Sequence, residues 1–224
     1  MLAAAALLLL VGPFEVGPRP TALVRTAAPR KIRVAVIGDS LISESAAEQR
    51  DALEARGYEV EVHASRGRAL STPWIQRQVL AVAADPDVDV VVVATAANDN
   101  FANSALAAEI GDRDALEAYR QQLRATRSRL GDRCVVLVDA RDAATGWFAP
   151  GFASKTNAAL REVASSRPHT EVVAWSDLSR PHGREWFAWD LEHFSGRARQ
   201  ARSTGAVAYA EATADGVDRC AAGH

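Results

Sequence analysis

Ser40, Asp190 and His193 have the types and spacing that nucleophilic chemistry needs. A serine hydroxyl is a weak nucleophile until a base takes its proton. An imidazole is the usual base, and a carboxylate on its other nitrogen holds the tautomer that can accept that proton. Asp190 stands three residues before His193 in Asp190-Leu191-Glu192-His193, close enough within a turn to make that bond. Ser40 stands in Gly38-Asp39-Ser40-Leu41, directly after the apolar run Ile32 to Ile37. A serine where a strand turns into a helix projects above the sheet, and the helix N-terminus favours the negative charge that develops during attack. His182, in Pro181-His182-Gly183, is a rival base, but it has no aspartate three residues before it. Asp39 reads as a structural group that bonds N–H groups of the turn, and His63 as a packed or solvated residue.

The elements that must position these residues alternate in type. Apolar or period-two segments predict strands at Ile32–Ile37, Tyr58–His63, Val88–Thr95, Cys134–Val138 and Thr170–Ala174. The run Val88–Thr95 has the pattern of a central parallel strand covered on both faces. Helices are predicted over Glu44–Arg56, closed by Gly57, and from a Thr72-Pro73 start to Ala84. Three more are predicted over Asp112–Leu130, Ser154–Ser166 and Thr204–Val217. This order implies an α/β fold, a three-layer α/β/α sandwich on a five-stranded parallel sheet. Asp139–Ala153 and Trp175–Ser203 are left as long irregular stretches, of the kind that carry function. Ligands of open parallel sheets sit at the carboxyl ends of the strands.

Four short segments stand there: Gly38-Asp39-Ser40-Leu41, Ala64-Ser65-Arg66-Gly67, Ala96-Ala97-Asn98-Asp99 and Asp190-Leu191-Glu192-His193. In this order they resemble the motif blocks of the SGNH (GDSL-type) hydrolase superfamily, over about Ile32 to Cys220. The resemblance implies a flavodoxin-like sheet and a cofactor-free, serine-dependent esterase or lipase acting through an acyl-enzyme. It implies a catalytic set of Ser40, Asp190 and His193. It also implies an oxyanion hole made by the backbone N–H of Ser40, the backbone N–H of Gly67 and the side chain of Asn98. Expected substrates are acyl or acetyl esters of lipids or cell-envelope carbohydrates. Acyl transfer to a sugar, or a non-catalytic envelope-binding module, are the alternatives. The sequence departs from the family in two places. Ala96 takes the position of the usual block-three glycine, where positive φ would be expensive. An arginine-rich insert, Arg197–Arg202, separates His193 from the last helix. Trp147, Trp186 and Trp189 are candidates to line an acyl or sugar pocket, or simply to cover the loops.

The bulk properties narrow the partners. The 224 residues suffice for one ordinary domain, and 48% hydrophobic with 24% charged residues is the balance of a soluble globular protein. Twenty-six basic against 28 acidic residues leave no global positive field, which argues against nucleic acid as a partner. No P-loop, dinucleotide glycine fingerprint, H-E-x-x-H or G-x-S-x-G elbow is present, so no metal or organic cofactor is implied. The protein is expected to work as a monomer. Residues 1–30 read as a signal-like or anchor segment plus linker, and 31–224 as the domain. The apolar run Leu2–Val11 is about half of what spans a bilayer and suits the core of a secretory signal or the remnant of a membrane anchor. Secretion or membrane anchoring is therefore expected. In a parallel layout Cys134 opens a strand at the bottom edge, and Cys220 ends a helix at that same edge. A disulfide between them fits an oxidising compartment, and two unpaired small apolar residues is the alternative.

Overall fold

The structure is a computed structural model, which describes residues 30–142, 152–195 and 204–223. The N-terminal segment, Trp147 and the insert Arg197–Arg202 lie outside the described residues.

Five strands form one parallel sheet: β1 (Arg33–Gly38), β2 (Glu59–Ala64), β3 (Val90–Ala94), β4 (Cys134–Val138) and β5 (Thr170–Val173). Their spatial order is β2-β1-β3-β4-β5, the flavodoxin-like arrangement that the resemblance implies. Every residue of β3 and β4 is buried, as an almost pure Val sequence with helices on both faces requires. β2 alternates Glu and Val and lies at the edge, where no residue of it is fully buried.

Successive side chains on a strand point to opposite faces, so the sheet feeds two cores. Val34, Val36, Val90, Val92 and Val136 pack with Leu41, Ile42, Leu53, Tyr209 and Val217 on one face. Those partners come from α1 (Ser40–Glu44), α2 (Ala46–Ala55) and α8 (Thr204–Ala222). Ala35, Ile37, Val91, Val93 and Val135 pack on the other with Ile75, Val79, Tyr119, Leu123, Leu160 and Val163. Those lie on α3 (Pro73–Ala84), α5 (Asp112–Arg129) and α6 (Phe152–Ser165). α8 lies close to the sheet because Gly216 has no side chain. A Cβ there would stand 2.6 Å from Val173 Cγ2 and 3.0 Å from Val136 Cγ1.

Three departures from the predicted elements have local causes. The helix predicted over Glu44–Arg56 is α2, and a separate short helix, α1, precedes it. Ser45 separates the two, its hydroxyl donating to the Leu41 carbonyl at 2.7 Å. α4 (Ala96–Ile110) was not predicted. Its Ala, Asn and Ser residues bury no stripe of large apolar groups, so no helical period is visible. α7 (Trp175–Ser179) is a short helix inside the stretch read as irregular.

The two cysteines meet as expected. Cys134, the first residue of β4, and Cys220, in the last turns of α8, are joined by a disulfide with Cα atoms 5.8 Å apart. The bond closes a loop over 86 residues of sequence. Opening it by Cys134→Ala with Cys220→Ala is expected to lower folding stability by about 2–4 kcal/mol. Urea denaturation of the oxidised protein beside the double variant measures this, and coincident curves would mean that packing alone holds the edge.

Candidate active site

Both β1 and β3 run out at one rim, and the chain is held tightly there. A Cβ on Gly38 would lie 2.3 Å from Ile42 Cγ1 and 3.0 Å from the Ala94 carbonyl, so only glycine fits. The Asp39 N–H donates to the Ala94 carbonyl at 3.2 Å, joining the two strand ends. The Asp39 carboxylate caps α1 by accepting from Leu41 N–H at 3.0 Å. Its other oxygen accepts from Asn98 Nδ2 at 3.0 Å and from Asn98 N–H at 3.4 Å. An amide nitrogen carries two hydrogens. One is anchored on Asp39, which aims the whole Asn98 side chain. Burial pushes the Asp39 carboxyl up to about 6, against the opposing hydrogen bonds from Asn98 and Leu41. The structural role expected for Asp39 is thus visible in detail.

A continuous hydrogen-bonded line crosses this rim. His193 Nε2 lies 3.0 Å from Ser40 Oγ, and His193 Nδ1 lies 2.7 Å from Asp190 Oδ2. Asp190 Oδ1 accepts from the N–H groups of Glu192 and His193, both at 3.1 Å. This tight turn forces Leu191 to φ 55°, an uncommon value for a residue with a Cβ. Burial raises the Asp190 carboxyl, but the His193 ring and the two N–H groups outweigh it and hold the group below its ordinary range. Two hydrogen bonds frame the segment: Ala188 N–H to the His193 carbonyl and Ser195 N–H to the Trp186 carbonyl, both 2.7 Å. Arg141, just beyond β4, braces it from outside. Its guanidinium donates to the Leu191 carbonyl at 2.6 Å and to the His182 carbonyl, and lies 4.0 Å from the Phe187 ring centre.

Gly67 joins from the loop after β2, at φ 67°. That loop is pinned at two points. Ser65 N–H donates to the Gly38 carbonyl at 3.1 Å, and Leu70 N–H donates to Asp99 Oδ1 at 2.6 Å. Asp99 also accepts from Thr95 Oγ1 at 2.8 Å and from Tyr119 Oη at 3.2 Å. Burial pushes the Asp99 carboxyl up to about 7. Ser40, Gly67, Asn98 and His193 then line one cavity of about 250 Å³, together with Arg66, Ala97 and Glu192.

The structure therefore brings Ser40, Gly67, Asn98, Asp190 and His193 together. It does not bring in His182, which stacks on Trp186 with ring centres 3.4 Å apart. Trp186 in turn stacks on the fully buried Trp175, so it belongs to the packing beneath the loop rather than to the cavity lining. Trp189 is 68% exposed. His63 sits on the edge strand β2, 3.5 Å from Glu61. Sequence reasoning missed Arg141 and Glu192. Arg141 could have been found as a charged residue just past a strand's carboxyl end. Glu192 stood inside a motif whose middle positions carry no pattern.

The sequence matches no protein-family model and no curated protein. The three-dimensional structure does resemble solved structures. It is similar to the C-terminal catalytic domain of peptidoglycan O-acetyltransferase A from Streptococcus pneumoniae. The TM-score is 0.60, with 19% identity over 85% of this chain and 92% of that one. It is similar to a lipase/acylhydrolase from Enterococcus faecalis, with a TM-score of 0.61 and 16% identity over 84% of this chain and 96% of that one. A third is an acetylxylan esterase from Geobacillus stearothermophilus, with a TM-score of 0.54 and 14% identity over 84% and 93%. The chain has the SGNH hydrolase fold.

Within the SGNH fold the two departures resolve differently. Ala96 is the first residue of α4, and among the described residues only His169 and Leu191 are non-glycines at positive φ. The strain expected at Ala96 is absent because a helix starts there. α8 does begin at Thr204, as the displaced position implied.

Glu192 gives this site an unusual titration. Burial pushes its carboxyl up to about 8, with Asp39 and Asp190 raising it further and Arg141 opposing. A carboxyl raised on folding gives stability that is full below its unfolded value and lost as pH rises through its folded value. Glu192→Gln is expected to remove such a loss between the ordinary glutamate range and about pH 8. Urea denaturation of both proteins across that window tests it, and parallel profiles would contradict the assignment.

Proposed function

We propose that the protein is a serine-dependent ester hydrolase in which Ser40 is the nucleophile, His193 the general base and acid, and Asp190 the group that orients His193. The observation that carries this reading is the unbroken line Asp190–His193–Ser40, at 2.7 and 3.0 Å, ending in a cavity. Ser40 Oγ attacks the ester carbonyl carbon while its proton passes to His193 Nε2. The carbonyl oxygen becomes an oxyanion. Three donors are suited to receive it: the Ser40 N–H at the start of α1, the Gly67 N–H, and the Asn98 amide hydrogen not used by Asp39. The tetrahedral adduct collapses, the C–O bond to the alcohol breaks, and His193 returns the proton to the departing alkoxide. Water then attacks the acyl-Ser40 ester, giving its proton to His193, and the acid leaves as Ser40 recovers its hydrogen.

The cavity of about 250 Å³ favours a short acyl group, such as acetyl, on a lipid or envelope carbohydrate. Transfer of that acyl to a sugar hydroxyl differs only in which oxygen attacks the acyl-enzyme. An O-acetyltransferase domain among the similar structures keeps that second reading in view. The disulfide and the signal-like residues 1–30 support an extracytoplasmic location. Among the described residues no helix is long and apolar enough to cross a membrane.

A fluorophosphonate probe is expected to label the wild type on Ser40 and to leave Ser40→Ala unlabelled. Equal labelling of both would reject the nucleophile. Asn98→Ala is expected to lower kcat about 10²–10³-fold on p-nitrophenyl acetate with little change in KM. An unaltered kcat would remove Asn98 from the oxyanion site.

A further inference from the structure

Among the described residues Glu192 is the one carboxyl in the cavity wall, next to His193 in sequence and lining the same cavity as Ser40. It is only 4% exposed, and its Oε1 has no hydrogen-bond partner among the described residues. A buried polar atom left unsatisfied costs about 1–3 kcal/mol, so a partner supplied from the cavity would stabilise this one. The cation that acts on it, Arg141, does not fill that role. Its guanidinium donates to two backbone carbonyls and lies against the Phe187 face, and it makes no ion pair with Glu192 within 4.0 Å. The backbone of Glu192 is already held by Asp190, so the side chain is not needed to shape the turn.

We propose that Glu192 is a specificity-determining residue: its buried carboxyl hydrogen-bonds a hydroxyl or amide N–H beside the scissile ester, and so selects acetyl esters of sugars over esters of simple lipid alcohols. This rests on the serine-hydrolase reading above. An acetyl group has no hydrogen-bonding atom beyond the reacting carbonyl, so the partner must come from the alcohol. A monohydroxy lipid has none left once esterified, whereas a sugar carries a neighbour on the adjacent carbon. A carboxyl that keeps its proton at neutral pH, as burial makes this one do, can both donate to and accept from that neighbour. A site built around a hydrogen bond rejects an analogue that lacks it more strongly than an apolar pocket rejects an extra group.

The test uses two substrates and three proteins. The substrates are a methyl glycoside monoacetate with a free vicinal hydroxyl and the same monoacetate deoxygenated at that carbon. The proteins are the wild type, Glu192→Gln, which keeps a donor and an acceptor, and Glu192→Met, which keeps the volume without either. The wild type is expected to prefer the hydroxyl substrate by about ten- to a hundredfold in kcat/KM. Glu192→Gln is expected to retain most of that preference and Glu192→Met to lose it. Equal rates on the two substrates in the wild type would overturn the inference without any variant. So would an unchanged preference in Glu192→Met, or a Glu192→Met that fails to fold while the wild type shows no preference. Fluorophosphonate labelling separates the two levels. A wild type labelled at Ser40 but indifferent to the hydroxyl overturns the role of Glu192 alone, whereas a wild type that is never labelled overturns both readings.

Discussion

The Asp39 carboxylate is the point on which the site's geometry turns. It sits between two parallel strands at the place where the chain leaves one for α1 and the other for α4. One oxygen holds the N-terminus of α1, which presents Ser40, and the other holds both the backbone and the amide of Asn98. The group is almost completely buried, and its burial opposes ionisation. Three N–H donors, one from Leu41 and two from Asn98, offset part of that cost and tie the two exits of the rim to one group. Parallel pairing supplies the rest. β1 and β3 are in register up to Gly38 and Ala94, so their exits lie side by side before any side chain is considered.

The segment carrying His193 reaches the same rim by other means. No strand delivers it. It is a frame of two short hydrogen bonds lying on an aromatic cluster of Trp175, Phe187, Phe194 and Tyr209, with Arg141 bracing one side. Glu44 ties it to α1, accepting from Phe194 N–H at 3.3 Å and pairing with Arg66 at 3.1 Å. The imidazole is thus positioned by packing from below and by one carboxylate from behind, and the loop needs no regular secondary structure of its own. The uncommon backbone angle of Leu191 is where the tightness of this turn is visible.

Much of this was legible in the residues. The Val-rich runs gave the strands because central parallel strands have few other compositions. Gly-Asp-Ser after the first strand, Asn98 after the third and the Asp190–His193 pair were readable because their chemistry restricts the residue types. α4 was not readable: it buries Ala, Asn and Asp, which leave no apolar period. Nor was Glu192. Its burial follows from how the turn folds against Arg141 and Asp39, a three-dimensional circumstance that the identity of neighbouring residues does not encode. The worry about Ala96 came from a family habit, and it dissolved because a helix begins where a left-handed turn was feared.

The bond between Cys134 and Cys220 stands at the opposite end of the sheet from Ser40, and Cys220 follows every residue of the rim in sequence. During synthesis it can close only after residue 220 has emerged, when every segment that forms the rim already exists. Once it has formed, all the segments of the rim are present, and the covalent link fastens the far end of the sheet without touching the chemistry at this one.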